Sequence, residues 1–178
     1  DSNEWHTDAL DVLTFREKTG TLYDTKSRQL AYTEYVTDEY DHRTKKVWSD
    51  ARYDHYNRLL EYKETNRDAL NNTTIKEWRA SRYDWADRAE KYTQTNTDAD
   101  GNVTSIHWVA GTPGKSGEKG FNKYGQILGY TEEFTDQWGE KHRRVWADGK
   151  YDTYGNVESY VEFSIDPLGG ATKKAWSG

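Results

Sequence analysis

Side chains able to do acid-base or metal chemistry are plentiful in this chain, and their spacing decides what that chemistry could be. There are 31 Asp and Glu, 25 Lys and Arg, 5 His and no Cys among 178 residues. Without Cys there is no thiolate nucleophile, disulfide or Cys-bound zinc, and either redox compartment is allowed. His6, His42, His55, His107 and His142 show no His-x-x-x-His or comparable ligand spacing. The stretch "GTPGKS" at 111–116 invites comparison with a phosphate-binding loop. Val109 stands where its first Gly is needed, however, and no helix is expected to follow. A widened loop over 109–120 is the expectation there. "NTDADGN" at 96–102 opens like a calcium loop, with Asn96, Asp98 and Asp100 at alternate positions, but His107 replaces the bidentate Glu. Asn71, Asn72 and Asn102 head glycosylation sequons, which matter only in a source that glycosylates.

The most regular candidates are aromatic. Tyr32, Tyr62, Tyr92, Tyr130 and Tyr160 form one column, and Trp48, Trp78, Trp108, Trp146 and Trp176 another. A row of exposed rings can stack on sugars; the same rings can pack on one another and on Lys and Arg stems. Either use needs elements that hold the rings in line.

Those elements are legible from an internal period. Tyr23, Tyr53 and Tyr83 are thirty residues apart, as are Phe121 and Tyr151 after a shift of eight, and acids recur at Asp38, Asp68, Asp98, Asp136 and Asp166. Asp8 carries the phase to the N-terminus, with Lys18 in the Trp column and Ser2 in the Tyr column. The units are approximately 1–23, 24–53, 54–83, 84–121 with the inserted loop, 122–151 and 152–178, and one continuous array is expected. One turn of each unit begins at Asp24, Asp54, Asp84, Asn122 or Asp152; the other begins at the recurring acid. An Asp or Asn there bonds the backbone two residues on, and the fourth residue, mostly Gly, Asn or Asp, tolerates φ > 0. A type I turn closed by a left-handed residue is a common hairpin connection. The segments between turns are rich in Thr, Tyr, Trp and Val and have no helical stripe. The expected fold is therefore all-β: an antiparallel up-and-down meander of about twelve strands, built from tandem β-hairpin repeats as a single layer or curled strip.

A register follows if the turn Asp faces the residue four later. Each Tyr of the first column then faces a Trp of the second, from Tyr32 with Trp48 to Tyr160 with Trp176. The same register sets Glu34 opposite Lys46, Glu64 opposite Lys76, Glu132 opposite Arg144, Glu162 opposite Lys174 and Glu4 opposite Arg16. Where the acid has become Gln94, the base has become Ile106. Opposite charges and aromatic pairs across antiparallel strands contribute roughly 0.2–1 kcal/mol each.

Composition narrows the function classes. Only 33% of residues are hydrophobic and mean hydropathy is −1.18, yet 15% are aromatic, which favours a folded sheet over disorder. A net charge of −6 disfavours binding to nucleic acid or to an anionic membrane, and no apolar run is long enough for membrane insertion. The chain starts at Asp1 and contains no Met, so a fragment or processed product is expected. Neither end carries an atypical capping unit, so a longer array or end-to-end self-association is expected.

"YDTYGN" at 151–156 and "DPLGG" at 166–170, echoed by "YDTKSR", "YDHYNR" and "YDWADR", make the chain resemble the YD repeats of RHS-type and teneurin-like proteins. The thirty-residue period is longer than that family's usual unit, and the Trp column is an addition to it. The resemblance implies a secreted or cell-surface β-strip, winding around a cavity or forming a stalk, with no catalytic residues of its own. The chain is similar also to single-layer sheets of surface lipoproteins. The expectation is thus a structural scaffold of a secreted or cell-surface protein, such as an adhesin stalk, with no enzymatic activity, cofactor or metal. Its expected partners are adjacent repeats. The alternative is a carbohydrate-binding module presenting the Trp and Tyr columns to a polysaccharide.

Overall fold

The computed structural model describes residues 1–7, 13–111 and 119–178, and every regular element among them is a strand. In chain order these are β1 (Ser2–Thr7), β2 (Leu13–Tyr23), β3 (Gln29–Thr37), β4 (Arg43–Tyr53), β5 (Leu59–Arg67) and β6 (Thr73–Tyr83). They continue with β7 (Ala89–Thr97), β8 (Val103–Ala110), β9 (Tyr130–Thr135), β10 (Lys141–Tyr151), β11 (Val157–Ile165) and β12 (Ala171–Ser177). All belong to one twelve-stranded antiparallel sheet whose strand order, β1 to β12, is the sequence order of an up-and-down meander. The first and last strands are not neighbours in this order. By its contacts the chain divides into two units, Asp1–Arg79 with Thr95–Val103, and Ala80–Gln94 with Thr104–Gly178.

The turns explain why the chain reverses where it does. At the first, Asp24 Oδ1 accepts the N–H groups of Lys26 (2.8 Å) and Arg28 (3.0 Å), and the Asp24 carbonyl accepts the N–H of Ser27 (3.1 Å). Ser27 closes the turn at φ 60, and Asp24 N–H donates to the Arg28 carbonyl. This is a type I turn with a left-handed fourth residue. The same pair of backbone bonds recurs in the turns beginning at Asp38, Asp54, Asp68, Asp84, Asp98, Asn122, Asp136, Asp152 and Asp166. The fourth residue of each, whether Asp, Asn or Gly, has positive φ. Asp8 lies outside the described residues.

The register agrees with the one read from the sequence. Tyr32 faces Trp48, Tyr62 faces Trp78, Tyr130 faces Trp146, and Tyr160 faces Trp176. Glu34 faces Lys46, Glu64 faces Lys76, Glu132 faces Arg144, Glu162 faces Lys174, and Glu4 faces Arg16.

The long strands hold a feature beyond that register. Pairing slips between Thr19 and Leu22 in β2, between Ser49 and Arg52 in β4, and between Ala147 and Lys150 in β10. Within these slips lie the left-handed residues Gly20 (φ 60), Asp50 (φ 58) and Asp148 (φ 55). They are bulges, and a bulge lets an eleven-residue strand such as β4 match a nine-residue partner such as β5. It also shifts the alternation of sides by one residue. Beyond the bulge of β4, Ala51 is buried, while Arg52 reaches Glu61 at 3.1 Å.

The inserted segment enters beside this position of the repeat. Expected as a loop from 109 to 120, it starts later, because β8 continues through Val109 and Ala110, paired with Thr131 and Tyr130. Gly111 N–H then donates to the Gly129 carbonyl at 2.8 Å. Pairing with the neighbouring strand satisfies these backbone groups, so the chain stays in the sheet up to the place where other long strands bulge. Residues 112–118 lie outside the described residues. On its return, Gly120 meets Ala110 so closely that a Cβ on Gly120 would overlap the Ala110 Cβ.

Candidate functional site

The aromatic columns come together as ladders. In the first unit the ring centroids of Tyr32, Trp48, Tyr62 and Trp78 follow one another at 5.6, 5.8 and 5.7 Å. In the second unit Tyr92, Trp108, Tyr130, Trp146, Tyr160 and Trp176 follow at 5.3, 5.8, 6.0, 5.4 and 5.7 Å. Interplanar angles from 15° to 32° turn the faces of neighbouring rings towards one another. Lys18, standing in the Trp column, holds its ammonium 4.0 Å from the Tyr32 centroid and continues that ladder with a charge. Trp108 and Trp146 are buried, whereas Trp176, the last ring of its ladder, is exposed. Burial raises the pKa of the Tyr32, Tyr92 and Tyr130 phenols.

Charged residues form a second column beside the rings. Each acid faces its expected base, but the closest contacts are shared among neighbours. Glu132 meets Arg144 at 2.5 Å as expected, whereas Glu34 lies nearest Arg16 at 3.9 Å and Lys46 bonds Glu64 at 2.8 Å. A base between two acids can lean either way, and Lys46 leans towards β5. At Glu64, burial acts to raise the pKa, but hydrogen bonds from Asn66 and Lys46 and the charges of Lys46 and Lys76 outweigh it, and the carboxyl is held low. Glu34, Glu64 and Glu132 thus each sit beside a base as ion pairs.

The turns contain a clamp that sequence reasoning missed. Arg28 bonds its own turn acid, Nε to Asp24 Oδ2 at 2.6 Å, and then reaches the next repeat. Its Nη1 donates to the Asp54 carbonyl at 2.8 Å, and its guanidinium lies 5.0 Å from the Tyr53 ring centroid. Arg88 does the same in the second unit, bonding Asp84 at 2.7 Å and the Asn122 carbonyl at 3.2 Å, with its guanidinium 4.6 Å from the Phe121 centroid. The signal is the Arg five residues after each Tyr in "YDTKSR" and "YDWADR". At the next turn the pair is replaced by Asn122 and Gln126, which bond each other at 2.5 Å. A cleft of about 820 Å³ opens there, lined by Gln126, Tyr151, Asp152 and Glu158 and flanked by Tyr124 and Tyr154, 75% and 90% exposed.

The remaining candidates stay apart. His42 lies 3.1 Å from Asp38, His107 lies 3.8 Å from Glu133, and His142 lies 3.6 Å from Asp136. His55 packs on Tyr56, and the His6 side chain lies outside the described residues. Among the described residues, one group of two acids and a His could surround a cation: Asp136, Glu140 and His142, with ligand atoms within 4.8 Å of one another. Asp136 Oδ1 there already accepts the N–H groups of Trp138 and Glu140. In the calcium-like stretch, the Asp98 carboxylate accepts three bonds, from Asp100 N–H, Asn102 N–H and the Asn102 side-chain amide, as other turn acids do. Asn96 and Asp100 lie on either side of it, in β7 and at the turn. Most of the phosphate-loop-like stretch, 112–116, lies outside the described residues. Of the sequon residues, Asn71 closes a turn with positive φ, while Asn72 and Asn102 donate to Asp68 and Asp98 at 2.8 Å. No protein-family model matches this chain, and comparison with curated proteins finds no match.

Proposed function

We propose that the chain is a structural repeat scaffold of a secreted or cell-surface protein, in which side-chain ladders and turn clamps tie each repeat to the next. The observation that supports this reading most is the use of the reactive-looking groups. The turn acids accept backbone amides, with Arg added at Asp24, Asp54 and Asp84; Glu34, Glu64 and Glu132 lie against bases; and within the ladders rings face neighbouring rings. Such contacts resist separation of adjacent strands, which suits a stalk, fibre or enclosing strip of the YD-repeat kind. A polysaccharide platform on the ladders is the less favoured reading, because a sugar needs a free ring face. Iodide quenching of Trp fluorescence, with and without soluble polysaccharide, separates the two: the exposed Trp5, Trp85 and Trp138 are quenched under either reading, and in a scaffold polysaccharide leaves that quenching unchanged. Quenching that polysaccharide relieves rejects the scaffold reading. Protease accessibility on intact producing cells tests the location.

A further inference from the structure

We infer that the cleft beside Gln126 receives the guanidinium group of an arginine supplied by another polypeptide. The chain itself provides the template at Arg28 and at Arg88. Arg28 and Arg88 each donate to the carbonyl that opens the following turn and lie over the aromatic ring that precedes it. The equivalent carbonyl and ring after Gln126 belong to Asp152 and Tyr151. Among the described residues, the Asp152 carbonyl accepts only the turn bond from Gly155, and no cation lies over Tyr151. Both groups are held ready. The Tyr151 hydroxyl donates to the Ile127 carbonyl at 2.7 Å, which fixes its ring, and the Asp152 carboxylate holds the turn through the N–H groups of Tyr154 and Asn156. Gln126 extends towards the turn, with its amide nitrogen 3.4 Å from where a Cβ of Gly155 would be, but it does not repeat the arginine's bond to the turn carbonyl.

The surroundings favour a planar cation that makes directed bonds. A carbonyl lone pair and a ring face both attract a guanidinium, which can serve the two at once as the internal arginines do. Glu158 on the cleft wall supplies a carboxylate in place of the acid lost at Asn122, while Lys150 on the same wall disfavours a ligand held by charge alone. A volume of about 820 Å³ exceeds what one arginine needs. Tyr124 and Tyr154 on its lining are exposed and offer aromatic surface to the residues flanking the arginine, and tyrosine and arginine are both enriched at protein interfaces.

The test is an amide-resolved NMR titration with Nα-acetyl-arginine methylamide, its neutral citrulline analogue and its lysine analogue. Saturable shifts at Gln126, Asp152 and Gly155 are expected with arginine, and about tenfold weaker binding with citrulline and with lysine, since the charge-assisted planar bond is lost in both. The double variant Asn122→Asp with Gln126→Arg should rebuild the internal clamp, raise Tm and remove the arginine response. Should that variant not fold, Glu158→Ala must weaken arginine binding without changing Tm. Equal responses to arginine and either analogue, undiminished binding in these variants, or a response to the neutral oligosaccharide cellohexaose with none to arginine would each overturn the inference.

Discussion

The Trp146 indole lies over Gly149 so closely that a Cβ on that glycine would overlap the ring, and the same Cβ would come within 2.7 Å of the Ile127 carbonyl oxygen. The bulge at Asp148 turns Gly149 towards the ladder, and Trp146 settles over it as one of the few buried side chains. Gly149→Ala is therefore expected to lose about 1–3 kcal/mol through overpacking. Chemical denaturation checks this, and near-ultraviolet circular dichroism should report a displaced tryptophan.

Arg88 and Arg79 make contrasting ion pairs. Arg88 holds Asp84, whose side chain is 8% exposed, and reaches Asn122 in the next turn; Arg79 meets Glu61 at 2.7 Å with 71% of its own side chain in solvent. Arg88→Ala should cost about 2–3 kcal/mol, because it strands a shielded carboxylate as well as removing bonds to a charged group. Arg79→Ala should cost less than about 1 kcal/mol. Equal losses in urea unfolding would contradict the clamp.

Acid should loosen the turns before it affects the rings. The side chains of Arg28, Asn72, Asn102 and Asn156, followed by backbone N–H groups, hold Asp24, Asp68, Asp98 and Asp152 below their ordinary value of 3.8. A carboxyl whose folded pKa is depressed stabilises fully above its unfolded value and loses that contribution as pH falls through the folded one. Tm should thus be nearly flat between about pH 7 and pH 5 and fall below about pH 4. A Tm unchanged at about pH 2 would show that these bonds do not matter to stability.

Removal of residues 111–118 should be tolerated. The excision joins Ala110 to Lys119, restores the thirty-residue spacing, and uses ends that already lie against each other at Ala110 and Gly120. Loop length contributes only slowly to folding entropy, so the change in stability should stay within about 1 kcal/mol. Calorimetry on the shortened chain decides it, and a large destabilisation would mean that the segment packs on the sheet.

Turns and register were legible because each rests on a local rule. An Asp or Asn that caps its own turn, followed three residues later by one that accepts positive φ, sets each hairpin, and the Glu and Lys columns then allow one alignment. The bulges were hidden, since left-handed Asp50 and Asp148 look like any surface Asp, and only the unequal strand lengths hinted at an extra residue. The clamp was hidden for another reason. Arg28 acts on Asp54, twenty-six residues away, and a local pattern does not say where a guanidinium reaches. The choice of Lys46 for Glu64 over Glu34 likewise depends on how side chains lean between strands.

The third residue of these hairpin turns lends the turn its backbone N–H, which the turn Asp or Asn accepts. The six large apolar side chains at such positions that are most exposed lie outside the Tyr and Trp ladders. Tyr40, Leu70, Tyr124, Trp138, Tyr154 and Leu168 stand at such positions and are between 73% and 96% exposed. The framework thus separates grammar from vocabulary: a constant set of residues writes the hairpins, and one position per turn is free to change its chemistry. Such a chain can acquire or exchange surface specificity by single substitutions at its tips while its stability stays where the ladders set it.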